Sequence, residues 1–407
     1  MKMDRRGFLK VSGAAGFGLL AGLNGTNLIF PNSAEAAEPV RIMNGCTYSG
    51  SYAETGMYWS RGTKIALKHF GGKVLGRPIE IIERDVPNAA QGVRKAQEAV
   101  ERFGAKFLII SPTSSTVLAV SDYAAKKGVI VIAAAAADSV TGKACAPYLF
   151  RWNVPAWSAA QEVVPRIIEK FKAETFYTLA PQDVFGEEMS KAAKDTIIQY
   201  KKKLIGHSFH ALGETDFSVH ITKAMAAKAD CVLLCNFSGD TVNFVKQAIN
   251  YGLGKVSRIA VAWATGDTQF RAIGAKNLEN TIWGIQYYWK IDTARNKRFV
   301  QDFLKEYDEV PPYLAAGAYA SVSTLLEVIT LAKTTDTQKV IKAWQGYETN
   351  GLSGKEKWNP GNNQCHKPYF TLVCKGPSTM KNEYDFADII GSSNRAQSSA
   401  EMGCKRS

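Results

Sequence analysis

The feature that most constrains the fold is an alternation, from residue 40 onward, of short apolar runs with helix-length amphipathic segments. Two of the runs, Phe107–Ser111 and Val129–Ala133, are almost continuously apolar. Such runs are typical of strands that are buried on both faces of a parallel sheet. The pattern therefore predicts an α/β fold in which helices cover both faces of mainly parallel sheets.

The alternation occurs in two series. The first begins with the predicted strand Val40–Cys46, and the second restarts after residues 148–152 and reaches the predicted strand 259–264. Two series in 407 residues predict two doubly wound, Rossmann-like lobes. Because no long Pro/Ser-rich linker separates them, we expect a hinge of three short crossings. These are predicted near residues 150–153, 281–287 and 368–373.

The series also predict how the chain is divided. We expect an N-terminal lobe from residues 37–151 and 283–366, and a C-terminal lobe from residues 152–282 and 367–391. The remaining residues, 392–407, are polar and are expected to form a poorly ordered tail.

The first 36 residues have the order of an export signal. Arg5 and Arg6 precede an apolar, Gly/Ala-rich run over residues 11–23, and the small-x-small sequence of residues 34–36 follows. The run is too short to span a bilayer stably. Its Arg-Arg-x-Phe-Leu-Lys pattern resembles a twin-arginine signal. We therefore expect a soluble, periplasmic product that is cleaved near Ala36/Ala37.

Seven cysteines are compatible with an oxidising compartment, but none has the spacing of a metal site. Cys231 and Cys235 fall in an apolar run and are predicted to be packed core thiols on one side of a strand. One disulfide is expected near the C-terminus, joining Cys404 to Cys365 or Cys374, although the spacing does not fix the pairing.

Catalytic signatures are missing from the sequence. It contains no G-x-S-x-G, no phosphate-binding G-x-x-x-x-G-K-[ST] and no H-E-x-x-H. His207 and His210 are spaced to lie on opposite faces of a strand. The net charge of +13 is not gathered in one long basic stretch, which argues against nucleic acid, although it favours an anionic ligand. The prediction is a protein that is not an enzyme and has no cofactor and no bound metal.

Ligands of open α/β sheets bind beyond the carboxyl ends of the strands. In this sequence that rule selects three loops: residues 47–56 after the first strand, 111–116 after the third and 133–139 after the fourth. The second loop is rich in hydroxyl groups, and the third is rich in alanine.

Several motifs in these loops and elsewhere carry a family resemblance. They are Tyr-Ser-Gly-x-Tyr-Ala-Glu-x-Gly over residues 48–56 and similar segments at 71–80, 147–151, 183–186 and 215–218. In order and spacing they resemble the branched-chain amino-acid-binding (leucine/isoleucine/valine-binding-like, type I) family of ABC-transporter periplasmic receptors, over residues 40 to 370. The resemblance implies two lobes joined by three strands, and a monomer that delivers a small organic ligand to an inner-membrane ABC permease.

The loops and the resemblance together indicate ten ligand-binding residues. They are Tyr52, Thr55, Thr113, Ser114, Ala135, Ala137, Trp152, Phe185, Phe237 and Trp263. The resemblance implies that Thr113 and Ser114 hold a ligand carboxylate, with helix capping as the alternative. Ordinary core packing is the alternative for the two phenylalanines, and stiffening of the hinge is the alternative for Trp152. Arg151 matches a family arginine whose expected role is structural.

Two departures from the family bear on the ligand. Ala137 replaces a hydroxyl residue, and no acid stands in residues 262–264, where the family binds the ammonium group; Asp267 is the nearest acid. A buried ammonium without a carboxylate is costly. We therefore expect an aromatic or apolar carboxylate. The alternatives are a branched-chain amino-acid or amide binder, a ligand-sensing module of the same fold, and a periplasmic enzyme loaded before export.

Overall fold

Two mixed, mainly parallel β-sheets organise the chain, of which a computed structural model describes residues 37–406. The predicted twin-arginine signal, residues 1–36, lies outside the described residues. The predicted α/β fold with two sheets is confirmed.

The first sheet has six strands in the order β2-β3-β1-β4-β5-β6. All neighbours pair in parallel except the β2–β3 hairpin. Its elements are β1 Val40–Cys46, α1 Ala53–His69, β2 Lys73–Val74, β3 Arg77–Asp85, α2 Ala89–Gln97, β4 Phe107–Ile110, α3 Ser114–Lys127, β5 Ile130–Ala133 and β6 Leu149–Arg151.

The second sheet has seven strands in the order β16-β15-β11-β10-β9-β7-β8, and only β15 and β16 are antiparallel to their neighbours. The elements up to β11 are α4 Ala156–Phe171, β7 Thr175–Pro181, α5 Val184–Gln199, β8 Lys203–His210, α6 Ser218–Ala227, β9 Cys231–Leu234, α7 Ser238–Asn250, β10 Arg258–Ala264, α8 Asp267–Ile273, α9 Ala275–Leu278 and β11 Ile282–Ile285.

The last third of the chain returns to the first lobe and then completes the second sheet. It also forms a small antiparallel sheet of β12, β13 and β14, which the sequence did not predict. The elements are α10 Ala294–Tyr307, α11 Tyr313–Ala332, α12 Thr337–Trp344, β12 Glu348–Gly351, β13 Gly354–Trp358, β14 Cys365–His366, β15 Tyr369–Cys374 and β16 Ala387–Ser393.

Helix α11 is the central helix of the first lobe. It is long and apolar enough to cross a membrane, but it is mostly buried and packs along α1. The two helices approach closely at Gly62, where an added Cβ would lie 2.0 Å from the carbonyl oxygen of Ala315. Their packing identifies α11 as a core helix of this lobe.

The chain passes between the sheets at the three predicted places. It leaves the first sheet after β6, leaves the second sheet after β11, and returns to the second sheet just before β15. Strand β11 belongs wholly to the second sheet, so the predicted lobe boundary at 282/283 falls inside a strand of the second lobe. The other lobe boundaries stay predictions.

The C-terminal segment corrects the expected cysteine pairing. Strand β16 forms an edge of the second sheet up to Ser393, and Cys404 is joined by a disulfide to Cys145. The expected partners of Cys404, Cys365 and Cys374, are instead buried free thiols. The expectation of a poorly ordered tail stays a prediction; within that tail, this bond ties Cys404 to the first lobe. The two bonded cysteines are 259 residues apart, a separation that no local spacing signals.

Candidate ligand-binding site

A cavity lies between the carboxyl ends of the two sets of parallel strands. It is placed by the strand order. In the first sheet β1 and β4 are neighbours whose connections diverge, and in the second sheet β7 and β9 are such a pair. The loops after these strands splay apart and leave a crevice at each switch point, which is where open α/β sheets bind ligands.

The first-lobe wall is built from the loops after β1, β4 and β5. Its residues are Tyr52, Pro112, Thr113, Ala134, Ala135 and Ala136. Thr113 precedes α3 in an extended conformation, and its hydroxyl donates to the Thr116 hydroxyl at 2.7 Å. The first N–H groups of a helix have no acceptor within it and carry a partial positive charge. This wall therefore combines small side chains with a helix start suited to an anion.

The second-lobe wall is mainly apolar. Its residues are Pro181, Asp183, Phe185, Leu212, Phe237 and Trp263. The Phe185 ring meets the Trp263 ring edge to face at 5.9 Å between centroids, and it meets the Phe237 ring at 6.4 Å. Such edge-to-face sets hold aromatic rings in fixed orientations and favour a planar apolar guest.

The two walls are in direct contact. The Tyr52 hydroxyl donates to Oδ2 of Asp240 at 3.0 Å, and the backbone N–H of Ser139 donates to Glu188 at 2.9 Å. The Tyr52 ring also lies 5.9 Å from the ring of Phe237. Burial, followed by the nearby Asp240, raises the pKa of Tyr52, so its hydroxyl keeps the proton that it donates. These contacts are those of a closed cleft.

Six of the ten predicted residues line the cavity, and four do not. Tyr52, Thr113, Ala135, Phe185, Phe237 and Trp263 line it. Ser114 is turned away, because its hydroxyl accepts the N–H of Ala137 at 3.2 Å. Thr55 is fully buried, and its hydroxyl donates to the carbonyl of Tyr52 at 2.6 Å. Both hydroxyls shape the loops that carry the wall and do not face the cavity.

Ala137 and Trp152 belong to the hinge. The Ala137 carbonyl accepts a hydrogen bond from the guanidinium of Arg151, which supports the expected structural role of that arginine. The Trp152 indole N–H donates to Glu356 at 2.8 Å, and the ammonium of Lys367 lies 4.0 Å from the Trp152 ring centre. Trp152 is thus a buried element of the crossing, outside the cavity lining.

Sequence reasoning missed several lining residues. Asn153 and Tyr313 close one part of the cavity, and the side chain of Asn153 donates to the Tyr313 hydroxyl at 2.7 Å. Asp183 lines the second-lobe wall and caps α5 by accepting the N–H of Gly186 at 2.8 Å. The strand-end rule applied to β7 would have found Asp183, which stands two residues after that strand.

Asp267 does not reach the cavity lining. It stands at the start of α8, almost fully buried, and its Oδ2 lies 2.7 Å from Nε of Arg271. Burial raises its pKa to about 7, partly offset by that arginine. The acid that could substitute for the missing family carboxylate is therefore Asp183 and not Asp267.

The remaining candidates for chemistry are structural. Cys231 and Cys235 are buried in the core of the second lobe, as predicted, and burial raises the pKa of Cys235 to about 12. His210 is buried against Asn236, with 3.1 Å between Nε2 and Oδ1. Within residues 37–406 no three His, Cys, Asp or Glu side chains form a cluster able to hold a metal.

Two α/β lobes whose strand ends face each other across a shared cavity define the class of two-lobed solute-binding proteins. A family model described as "Periplasmic binding protein" matches residues 39–378, so the chain belongs to the periplasmic binding protein family, the non-enzymatic, solute-binding components of ABC transporters.

Individual relatives agree with this assignment. The structure of an amino acid ABC transporter substrate-binding protein from Pseudomonas fluorescens Pf-5 has 33% identity and a TM-score of 0.86, covering 91% of this chain and 99% of that one. The Leu/Ile/Val-binding protein homolog 6 of Brucella melitensis is 23% identical over 325 residues, 78% of this chain and 82% of the relative. An ABC-transporter solute-binding protein of R. palustris in complex with benzoate shares the fold at a TM-score of 0.80 and 20% identity, covering 90% of this chain and 99% of that one.

Proposed function

We propose that the chain is the periplasmic substrate-binding component of an ABC importer and that its ligand is a small aromatic or apolar carboxylate. The observation that carries the proposal is the pairing of unlike walls in one cavity. A helix start with a hydroxyl residue forms one wall, and three aromatic rings form part of the other.

The carboxylate end is assigned to the first-lobe wall. The backbone N–H groups at the start of α3, beside the lining residue Thr113, supply hydrogen-bond donors without a fixed charge. The side chains of the alanines at 134–136 are small, so a ligand can lie close to the backbone of this loop. A carboxylate held in this way does not require an arginine or lysine in the cavity lining.

The apolar end is assigned to the wall of Phe185, Phe237 and Trp263. A flat ring that is buried against these side chains removes apolar surface of both partners from water. This burial favours binding by about 25 cal/mol per Å² of apolar surface. The R. palustris solute-binding protein, in complex with benzoate, shows that this fold accommodates an aromatic carboxylate.

Binding is proposed to proceed by hinge closure. The ligand first meets one lobe, and its contacts with the second lobe then favour the closed cleft, in which Tyr52 bonds to Asp240. An inner-membrane ABC permease would recognise this closed monomer. No second macromolecule is needed for the ligand to be enclosed.

A second candidate ligand is an amino acid, and Asp183 is the observation that favours it. Its carboxyl group lines the cavity, where an ammonium group could pair with it. Burial raises the pKa of Asp183, which makes its charged form costly without a cation. The amino acid ABC transporter protein of P. fluorescens supports the same candidate.

A matched ligand pair separates the two candidates in a thermal-shift experiment. The compounds 3-phenylpropanoate and phenylalanine differ only by the ammonium group. We expect 3-phenylpropanoate to give the larger rise in Tm at equal concentration, by ligand linkage. A larger rise with phenylalanine that disappears in Asp183→Asn would establish the amino-acid candidate, and no rise with either compound would count against both.

Export is proposed to use residues 1–36 as a twin-arginine signal, cleaved near Ala36/Ala37. The family assignment supports a periplasmic location, and Arg5 and Arg6 are the residues on which the route depends. Fractionation of cells expressing the full chain tests this. Arg5→Lys together with Arg6→Lys should retain the protein in the cytoplasm, whereas Lys2→Ala should not.

A further inference from the structure

Asn153 is the lining residue whose polar atoms are most tightly defined. It stands at the first crossing and is 1% exposed. Its backbone carbonyl accepts from Nε2 of Gln364 at 2.7 Å, and its Nδ2 donates to the Tyr313 hydroxyl at 2.7 Å. These contacts fix both the backbone and the side-chain amide.

One atom of this amide is left over. The side-chain oxygen Oδ1 is buried and has no hydrogen-bond partner among residues 37–406. Buried carbonyl oxygens in folded proteins are almost always paired, because an unpaired one has lost its water without replacement. At a cavity wall, the missing donor is most simply supplied by the ligand.

We propose that the ligand carries a hydroxyl group that donates to Oδ1 of Asn153, so that the substrate class is a hydroxylated carboxylate. This inference rests on the proposed function, to which it adds a second polar anchor. A hydroxyl group is favoured over an ammonium group, because the neutral amide offers no charge to offset a buried cation. Asn153 is then the residue that determines specificity.

The inference also explains why an apolar residue is not found at this position. Leucine has a similar size and would complete the apolar wall, but it would remove the unpaired acceptor Oδ1 from that wall. A site that must pair with a hydroxyl group discriminates strongly against the analogue that lacks it, because the analogue leaves the acceptor unpaired.

Calorimetric titration of the full-length mature protein with benzoate, 3-hydroxybenzoate, 4-hydroxybenzoate and 4-methoxybenzoate tests the inference. We expect one hydroxybenzoate to bind at least about tenfold more tightly than benzoate. The methoxy compound, which has no proton to donate, should lose that gain. In Asn153→Leu the hydroxybenzoate and benzoate should bind alike, while the exposed-site control Asn277→Leu should keep the wild-type preference.

The outcomes separate this inference from the proposed function. Equal binding of benzoate and both hydroxybenzoates to the wild type would overturn the inference alone, and this comparison does not depend on the folding of a variant. A hydroxyl preference that survives in a folded Asn153→Leu would overturn it as well. If phenylalanine binds and no benzoate does, both the carboxylate proposal and this inference are overturned.

Discussion

The cavity and the hinge lie between the same two lobes, but they treat polar groups in opposite ways. The cavity is mostly apolar and leaves Oδ1 of Asn153 without a partner. In the hinge, the side chain of Gln364 accepts from Nε of Arg151 and from the Thr141 hydroxyl, and it donates to the carbonyls of Asn153 and Cys365. The amide of Gln364 is thus fully paired, whereas that of Asn153 at the cavity wall is not.

Charge shows the same contrast. Arg151 and Lys367 are both fully buried in the hinge, and burial lowers their pKa values, to about 10 and about 8. Nearby carboxylates partly offset burial and raise both pKa values, Asp138 and Glu188 for Arg151 and Glu356 for Lys367, so each group remains protonated at pH 7. The cavity lining contains no arginine or lysine. The hinge therefore holds buried cations, and the cavity lining holds none.

Removal of the disulfide should cause the largest loss of stability. Cys145→Ser with Cys404→Ser should lower the free energy of unfolding by about 4 kcal/mol, because the bond closes a loop of 259 residues. Chemical denaturation measures this. Each single variant should lose as much as the double variant, since either one abolishes the bond; single variants that differ strongly from the double would show that the thiols act through packing instead.

The second-largest loss of stability is expected when the hydrogen-bond network of the hinge is broken. Gln364→Leu removes the acceptor of Nε of Arg151 and the donor to two buried carbonyls, so the free energy of unfolding should fall by about 3 kcal/mol. The matched control is Gln301→Leu on the exposed face of α10, which should change stability by less than about 0.5 kcal/mol. Equal effects of the two variants would contradict the contrast between hinge and cavity.

Truncation of the cavity wall should weaken ligand binding more than it lowers the stability of the fold. Phe237→Ala should weaken ligand binding about tenfold, or about 1.4 kcal/mol, and cost less stability than the hinge variant, because Phe237 is only half-buried. Calorimetric titration with the best carboxylate measures the change in affinity. Tyr251→Ala, at an aromatic residue that is 50% exposed outside the cavity lining, should bind as the wild type does.

An effect of similar size on the hinge side is a pH dependence of stability from Lys367. Its ordinary pKa is 10.5, and burial lowers it to about 8 in the folded chain. Between these values the unfolded chain binds more protons than the folded chain, so this residue adds stability as the pH rises. From pH 7.5 to 9.5 the wild type should gain about 1–2 kcal/mol relative to Lys367→Met. A difference that is constant with pH would show that the pKa of Lys367 is not lowered.

Sequence reasoning was most successful where function follows from strand position. Strand-end loops in a doubly wound sheet face a crevice whatever their detailed packing, so Tyr52, Thr113 and Ala135 could be placed from hydrophobic patterning and the family resemblance. Ser114 and Thr55 were placed in the right loops but with the wrong orientation. Which way a hydroxyl turns depends on a partner elsewhere in the chain, here the backbone of residues 137 and 52.

The hinge network could not be derived from the sequence. Arg151 and Gln364 are 213 residues apart, and Cys145 and Cys404 are 259 apart. No periodic pattern in the sequence marks pairs that are this far apart. Asn153 was missed for a related reason: its free oxygen becomes visible only when Tyr313 and Gln364 are seen to occupy its other polar atoms.

The most direct test of the account is a crystal structure of the protein with the tightest-binding carboxylate. We expect its carboxylate at the start of α3 beside Thr113 and its apolar part against Phe237, with both lobes in contact across it. A ligand bound outside the crevice, or one held by a single lobe while the other stands away, would contradict the claim that the two sets of strand ends form one site.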